Sequence, residues 1–130
     1  MIYVPISLGE LIDKITILKI KKSKINDSKK LSNVNKEYDL LLKIMNQYIT
    51  EDNELFTELY HLNLEFWEYH DWQREKWNQL KNMPAMIDYE LYKKNEDEHK
   101  MNDRRAEIKK RINILYDSEI VEEKQFKNYD

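Results

Sequence analysis

Between residues 102 and 113 the chain reads Asn102-Asp103-Arg104-Arg105-Ala106-Glu107-Ile108-Lys109-Lys110-Arg111-Ile112-Asn113, and Asn102, Arg105, Lys109 and Asn113 recur at intervals of three and four. On a helix such intervals fall along one side. Two adjacent guanidiniums offer forked donors for a carboxylate or phosphate, Lys109 adds a point charge on the Arg105 side, and the asparagines can bridge to neighbouring helices. The chemistry this suggests is anion recognition at a polar site inside a helical bundle. Its plain counterpart is an internal ionic lock, in which the same cations pair with Glu68, Asp71 or Glu75 of a facing helix and fix register.

A second polar face carries Asn63, Trp67, His70 or Asp71, and Arg74 in the same rhythm. If it meets the first, Asn63, Asp71, Arg74, Asn102, Arg105 and Lys109 share one cleft, with Trp67 available to stack on a planar ligand. The neighbours His70 and Asp71 are not an acid–base device, because adjacent side chains on a helix point about 100° apart. Near the N-terminus, Glu10 and Asp13 lie on one helical face beside Lys14, and with Asp71 and Asp103 they could hold a hard cation such as Mg²⁺. That is the logic of an all-α nucleotide pyrophosphohydrolase. The doubled glutamate-rich motif of such an enzyme is absent, however, and Glu10 has a sufficient role as a capping residue, so no metal or cofactor is assigned. Ser7 and Gly9 could offer backbone amides to a phosphate, although Glu10 in the same turn repels anions.

These residues need helices to hold them. Ser7-Leu8-Gly9-Glu10 has capping-box spacing, so helix one starts there. Leu8, Leu11, Ile12, Ile15, Leu18 and Ile25 give it an apolar face, and Lys19, Lys21, Lys22 and Lys24 suit its C-terminal half. Residues 2 to 6 precede it as a short strand or arm, since Pro5 pushes Val4 towards extended geometry. Asn26-Asp27-Ser28 caps helix two, in which Leu31, Val34, Tyr38, Leu41, Met45 and Tyr48 form a coiled-coil-like seam running to Ile49. Thr50-Glu51-Asp52-Asn53-Glu54 opens helix three, whose stripe is Leu55, Leu59, Leu62, Phe66 and Tyr69 and which runs to about Asn82. Pro84 breaks the pattern. Helix four occupies roughly Asp88 to Tyr116, its first part to Lys100 so polar that it either projects into solvent or frays, and an acidic and aromatic tail continues to Asp130. At about 1.5 Å per residue the last two helices span roughly 45 Å each and form a long antiparallel hairpin. Trp67, Trp72 and Trp77 are spaced at five and cannot share a stripe, so an exposed indole is expected.

The 130 residues, with one glycine, two prolines and no cysteine, make one domain covering 1–130, all-α, a bundle of four helices with a long hairpin and an extended N-terminal arm. A formal charge of −3 provides no global attraction to nucleic acid or to anionic lipid, and the lysines of residues 19 to 30 lack interleaved aromatics and read as a solvated face. Without cysteine there is no thiolate zinc site, only His61, His70 and His99 could supply imidazole, and any metal would be held mainly by oxygens. No apolar run reaches membrane-spanning length and no signal peptide opens the sequence, so a cytoplasmic protein is expected.

Val4-Pro5-Ile6-Ser7-Leu8-Gly9-Glu10-Leu11-Ile12-Asp13-Lys14-Ile15-Thr16-Ile17-Leu18, then Asn63 with Phe66-Trp67 and Asp71 with Arg74, then the Asn102-to-Asn113 stretch, and finally Ser118 with Ile120-Val121-Glu122-Glu123-Lys124, resemble a family of small bacterial and phage proteins, a domain of unknown function. The resemblance implies a link to sugar-transfer and surface-polysaccharide chemistry, and carries no catalytic residue or cofactor. The chain departs from the family pattern at His70, where an acid is expected before Asp71, and at the polar Asp97-Glu98-His99. The Glu122-Glu123-Lys124 motif is a candidate latch, folding back onto Arg104, Arg105 or Arg111, unless it is only an exposed acidic tail.

The leading expectation is a non-enzymatic helical module whose polar inter-helix cleft or exposed aromatics recognise a protein partner or an anionic small molecule, with a homodimer through the helix-two seam. The alternative is a metal-dependent enzyme acting on a phosphorylated metabolite or nucleotide sugar. A third class, a phage or envelope assembly subunit, requires self-association beyond a dimer.

Overall fold

The computed structural model describes residues 1–81 and 89–124. Four helices make up its regular structure: α1 (Leu8–Lys24), α2 (Ser28–Met45), α3 (Glu54–Leu80) and α4 (Tyr89–Leu115). The expectations placed on Asn82, Pro84 and Asp88, and on the end of the tail beyond Lys124, lie outside the described residues. The architecture is an all-α four-helix bundle, and no strand occurs among the described residues. Residues 2–6 are therefore an arm, not a strand, and they are exposed.

Local chemistry sets the helix limits. Ser7 Oγ accepts from the Glu10 amide, Asp27 caps α2 through the Lys30 amide, and Asn53 caps α3 through the Leu55 amide, each satisfying a donor that the helix cannot. The capping box at Ser7 is only half formed, because the Glu10 carboxylate turns away to Lys109 Nζ, 2.5 Å distant. Helix α2 stops at Met45, short of the expected Ile49, as the chain tightens into a turn through Tyr48 N–H to Met45 O at 2.8 Å. The turn leaves Tyr48 exposed and returns Ile49 to the core. Of the rest of the seam, Val34, Tyr38 and Met45 are buried within the chain's own core while Leu31 and Leu41 are half-buried.

Helices α3 and α4 form the antiparallel hairpin, and α1 alone packs against all three other helices. It runs obliquely over the base of the hairpin, meeting the end of α4 through Gly9 and the early turns of α3 through Thr16 and Lys19. Its apolar face (Leu11, Ile12, Ile15 and Leu18) joins Leu55, Phe56, Leu59, Leu62 and Phe66 of α3 and Ile108 and Ile112 of α4. The buried positions of α3 end at Tyr69 and those of α4 begin at Met101. Beyond that level the hairpin projects as two helices, so the polar start of α4 projects rather than frays.

The single glycine explains how closely α1 and α4 approach. A Cβ on Gly9 would lie 2.6 Å from the backbone oxygen of Lys109 and 2.9 Å from Asn113 Oδ1, so the close approach expected of a phosphate is made instead by helix α4. Gly9→Ala must push the helices apart, and we expect it to lower the unfolding free energy by about 1–3 kcal/mol in urea titrations.

Candidate functional site

Two polar regions differ in kind. The first is closed and lies at the base of the hairpin. Asp13, 2% exposed, receives a fork from Arg105: Nε donates to Oδ1 at 2.9 Å and the terminal nitrogen donates to Oδ2. Asn63 Nδ2 donates to Asp13 Oδ1 at 2.9 Å and to Thr16 Oγ1 at 2.8 Å, and the Thr16 hydroxyl donates to the Asp13 carbonyl at 2.7 Å. The Arg105 guanidinium lies 5.8 Å from the centre of the Phe66 ring, within cation–π range. The Asp13 hydrogen bonds raise the Arg105 pKa against the opposing effect of burial. One turn along, Lys109 pairs with Glu10, and Asn113 Oδ1 accepts from the Gly9 amide at 2.6 Å. Every charge here has an internal partner, as a buried charge must. This is the ionic lock, with a partner other than the one expected. Arg105 and Lys109 of α4 pair with Asp13 and Glu10 of α1, while Arg104 and Arg111 meet Glu65 and Glu58 of α3 at the surface, and none of them pairs with Glu68, Asp71 or Glu75.

The cleft anticipated from the sequence is divided. Asn63, Arg105 and Lys109 converge, joined by Asp13, Glu10 and Gly9. Asp71 and Arg74 stand about 12 and 16 Å further along α3 from Asn63 at 1.5 Å per residue, exposed on the projecting hairpin. Trp67 and Asn102 are half-buried, Lys14 faces solvent, and Arg104 makes a surface pair with Glu65 at 3.6 Å. The carboxylates that were to hold a cation are separated and engaged: Asp13 by Arg105, Glu10 by Lys109 and Asp103 by Lys124 at 3.0 Å. Among the described residues no group of three or more acids and histidines stands where it could hold a metal ion, and no helix is long and apolar enough to cross a membrane.

The tail folds back, onto other partners than the arginines named. Ser7 Oγ donates to Glu122 Oε1, Asn113 Nδ2 donates to Glu122 Oε2 at 2.8 Å, and Lys110 pairs with Glu123 at 2.7 Å. Burial alone would raise the Glu122 pKa, but the Ser7 hydroxyl, the Asn113 amide and the charge of Lys109 together hold it below its ordinary value.

The second region is open. On the projecting hairpin, Gln73, Arg74, Trp77 and Asn78 of α3 face Leu91, Tyr92 and Asn95 of α4 across a cleft of about 750 Å³. Trp77 is 63% and Tyr92 70% exposed, so both rings are available to a ligand. Among the described residues Arg74 is the one charged residue of this lining, which includes no carboxylate. The opposite side of the hairpin has a comparable recess, but Glu65, Glu68 and Asp97 there face Lys94, Lys100 and Arg104, which leaves it electrostatically balanced. Sequence reading named Arg74 and anticipated an exposed indole, yet missed Gln73, Asn78, Tyr92 and Asn95. The signal was present as Gln73–Trp77, Arg74–Asn78 and Leu91–Asn95 spacings of four. Comparison with models of known protein families, with curated proteins and with solved structures finds no match for this chain.

Two outcomes test the closed region. Arg105→Ala leaves Asp13 charged and buried, and we expect a loss of roughly 3–5 kcal/mol in chemical denaturation, partly recovered when Asp13→Leu accompanies Arg105→Met. Glu122 has a lowered pKa, so its contribution is complete above its ordinary value of 4.5 and disappears as the pH falls through the lower folded value. Carbon chemical shifts of its carboxyl should titrate below 4.5, with pepsin cleavage of residues 118–124 rising in the same range.

Proposed function

We propose that this chain is a non-enzymatic helical binding module that receives a small anionic ligand with a flat face in the open cleft of the α3–α4 hairpin. The observation that carries this reading is the described lining of that cleft: two exposed rings, one guanidinium with no carboxylate among the described lining residues, and three neutral amides around about 750 Å³, a size and composition suited to a small molecule. Trp77 and Tyr92 offer apolar faces to a planar or flat ring, Arg74 supplies a forked donor for a phosphate or carboxylate, and Gln73, Asn78 and Asn95 complete neutral edges. The closed network at the base serves a different purpose, because filling it with a ligand would first require separating Asp13 from Arg105. A nucleotide sugar combines the required features, and the resemblance of the sequence to a family associated with sugar transfer supports choosing it as a probe.

Titrating a panel of nucleotides and nucleotide sugars while following indole fluorescence and thermal unfolding tests the assignment. A ligand at a hundred times its dissociation constant should stabilise the chain by about 2.7 kcal/mol. Arg74→Ala should weaken binding about tenfold to a hundredfold, corresponding to about 1.4–2.7 kcal/mol, and Trp77→Ala should abolish the fluorescence response. A protein partner is the competing reading, supported by the exposed apolar arm of Met1, Ile2, Tyr3 and Val4. A silent panel, with light scattering that reports assemblies lost on deleting residues 2–6, would replace the ligand reading with that one.

A further inference from the structure

The end of α4 reverses the chain with a specific turn. Asp117 adopts φ 51°, the left-handed conformation that follows many helix ends, and the Ser118 amide reaches back to the Asn113 carbonyl at 2.7 Å. Ser118 Oγ then accepts from the Leu8 amide at 3.2 Å and donates to the Ile120 carbonyl at 2.8 Å. Residues 118–124 consequently return as an extended strap from the start of α1 along α4. The Glu122 carboxylate sits within it, held by the Ser7 hydroxyl and the Asn113 amide.

The receptor and the group that fills it are built differently. Ser7 and Asn113 are each 1% exposed. Ser7 Oγ already accepts from the Glu10 amide and Asn113 Oδ1 from the Gly9 amide, so helix α1 fixes the orientation of both side chains and leaves their hydrogens directed outward. Beyond Ser118 the strap is held more lightly. Ile120 and Val121 remain 38% and 37% exposed, and the Glu123–Lys110 pair is solvent-exposed and the Lys124–Asp103 pair partly so, a setting where such pairs contribute little. No residue of 118–124 belongs to the buried apolar core, a condition that favours local opening.

We propose that Ser7 and Asn113 form a carboxylate-binding site which Glu122 occupies as a tethered stand-in, and that a free carboxylate takes its place when the strap lifts. Two outward hydrogens match the two oxygens of one carboxylate. Lys109 is shared with Glu10, which leaves no surplus cation for a doubly charged phosphate. Displacement also opens the recess that Glu122, Glu123 and Lys124 line with Ala106, Glu107, Lys109 and Lys110, giving the rest of an organic acid somewhere to lie.

Glu122→Ala in the full chain supplies the test, with sodium acetate, sodium phosphate and sodium chloride compared at matched ionic strength. We expect the variant to melt below the parent chain, acetate to restore most of the loss while chloride does not, and the parent to respond only at much higher acetate, because the tethered Glu122 competes for the seat. Adding Ser7→Ala should remove the rescue. In nitrogen–proton spectra the Asn113 side-chain amide should move saturably with acetate in Glu122→Ala, at far lower concentration than in the parent chain. Glu122→Gln keeps the length and one acceptor but drops the charge, so acetate should displace it too, giving the same spectral response if the alanine variant folds poorly. Absence of an acetate effect in both variants overturns the site, and rescue by phosphate without acetate overturns the carboxylate assignment.

Discussion

The buried ion pair between Asp13 and Arg105 is the constraint around which the rest of the molecule is organised. A carboxylate 2% exposed cannot remain charged without a partner held in good geometry, because desolvation costs several kcal/mol per ion. Only one placement of α1 against α4 presents both oxygens to the fork of Arg105 and one of them to Asn63 of α3 as well. Since α1 is the helix that packs on all the others, fixing its register fixes theirs. Apolar residues could fill the same volume at similar net stability. They would slide more easily, so the contribution of the pair is to the selection of one arrangement.

That arrangement separates a sealed base from an open projection. Around α1 the three helices share the core of Leu11, Ile15, Leu59, Phe66 and Ile112. Past Tyr69 and Met101 no third helix covers α3 and α4, and the pair is held by surface contacts: His70 with Glu98 at 3.3 Å, Lys76 with Glu90 at 3.5 Å, and Lys94 over the Trp72 ring at 5.8 Å. Contacts of this kind are individually weak and solvent-screened. The open aromatic cleft lies on this projection, beyond the buried core.

How much of this could be read from the sequence followed the range of each signal. Ser7 as a cap, the apolar stripe of α3 and the long hairpin rest on neighbours three or four residues apart, and the sequence displays such intervals directly. The lock was half legible: the α4 polar line was visible, but the partner of Arg105 sits 92 positions away on α1 and no periodicity points to it. The error over Asp71 and Arg74 came from treating all of α3 as one packed face. The core of a single domain this size covers only part of a helix of 27 residues, and the outer turns carry side chains that never reach the base. Tyr48 was misassigned for the converse reason, since a tight turn ended the helix one residue after its pattern still held.

Gly9 links the level of the single residue to the level of the site. Without a side chain it allows α4 to approach until the Lys109 carbonyl and the Asn113 amide oxygen lie against its backbone, and its N–H then donates to that oxygen at 2.6 Å. An asparagine amide is rigid and planar, so committing its oxygen to Gly9 also decides where its nitrogen points. It points at the Glu122 carboxylate, 2.8 Å away. The Ser7 hydroxyl is committed in the same way by the Glu10 amide. Both donors of the anion seat are therefore oriented by the first turn of one helix, and neither needs to reorganise when its occupant changes. A larger residue at position 9 would shift α4 outward, release the Asn113 amide to rotate and leave the seat with one directed donor in place of two.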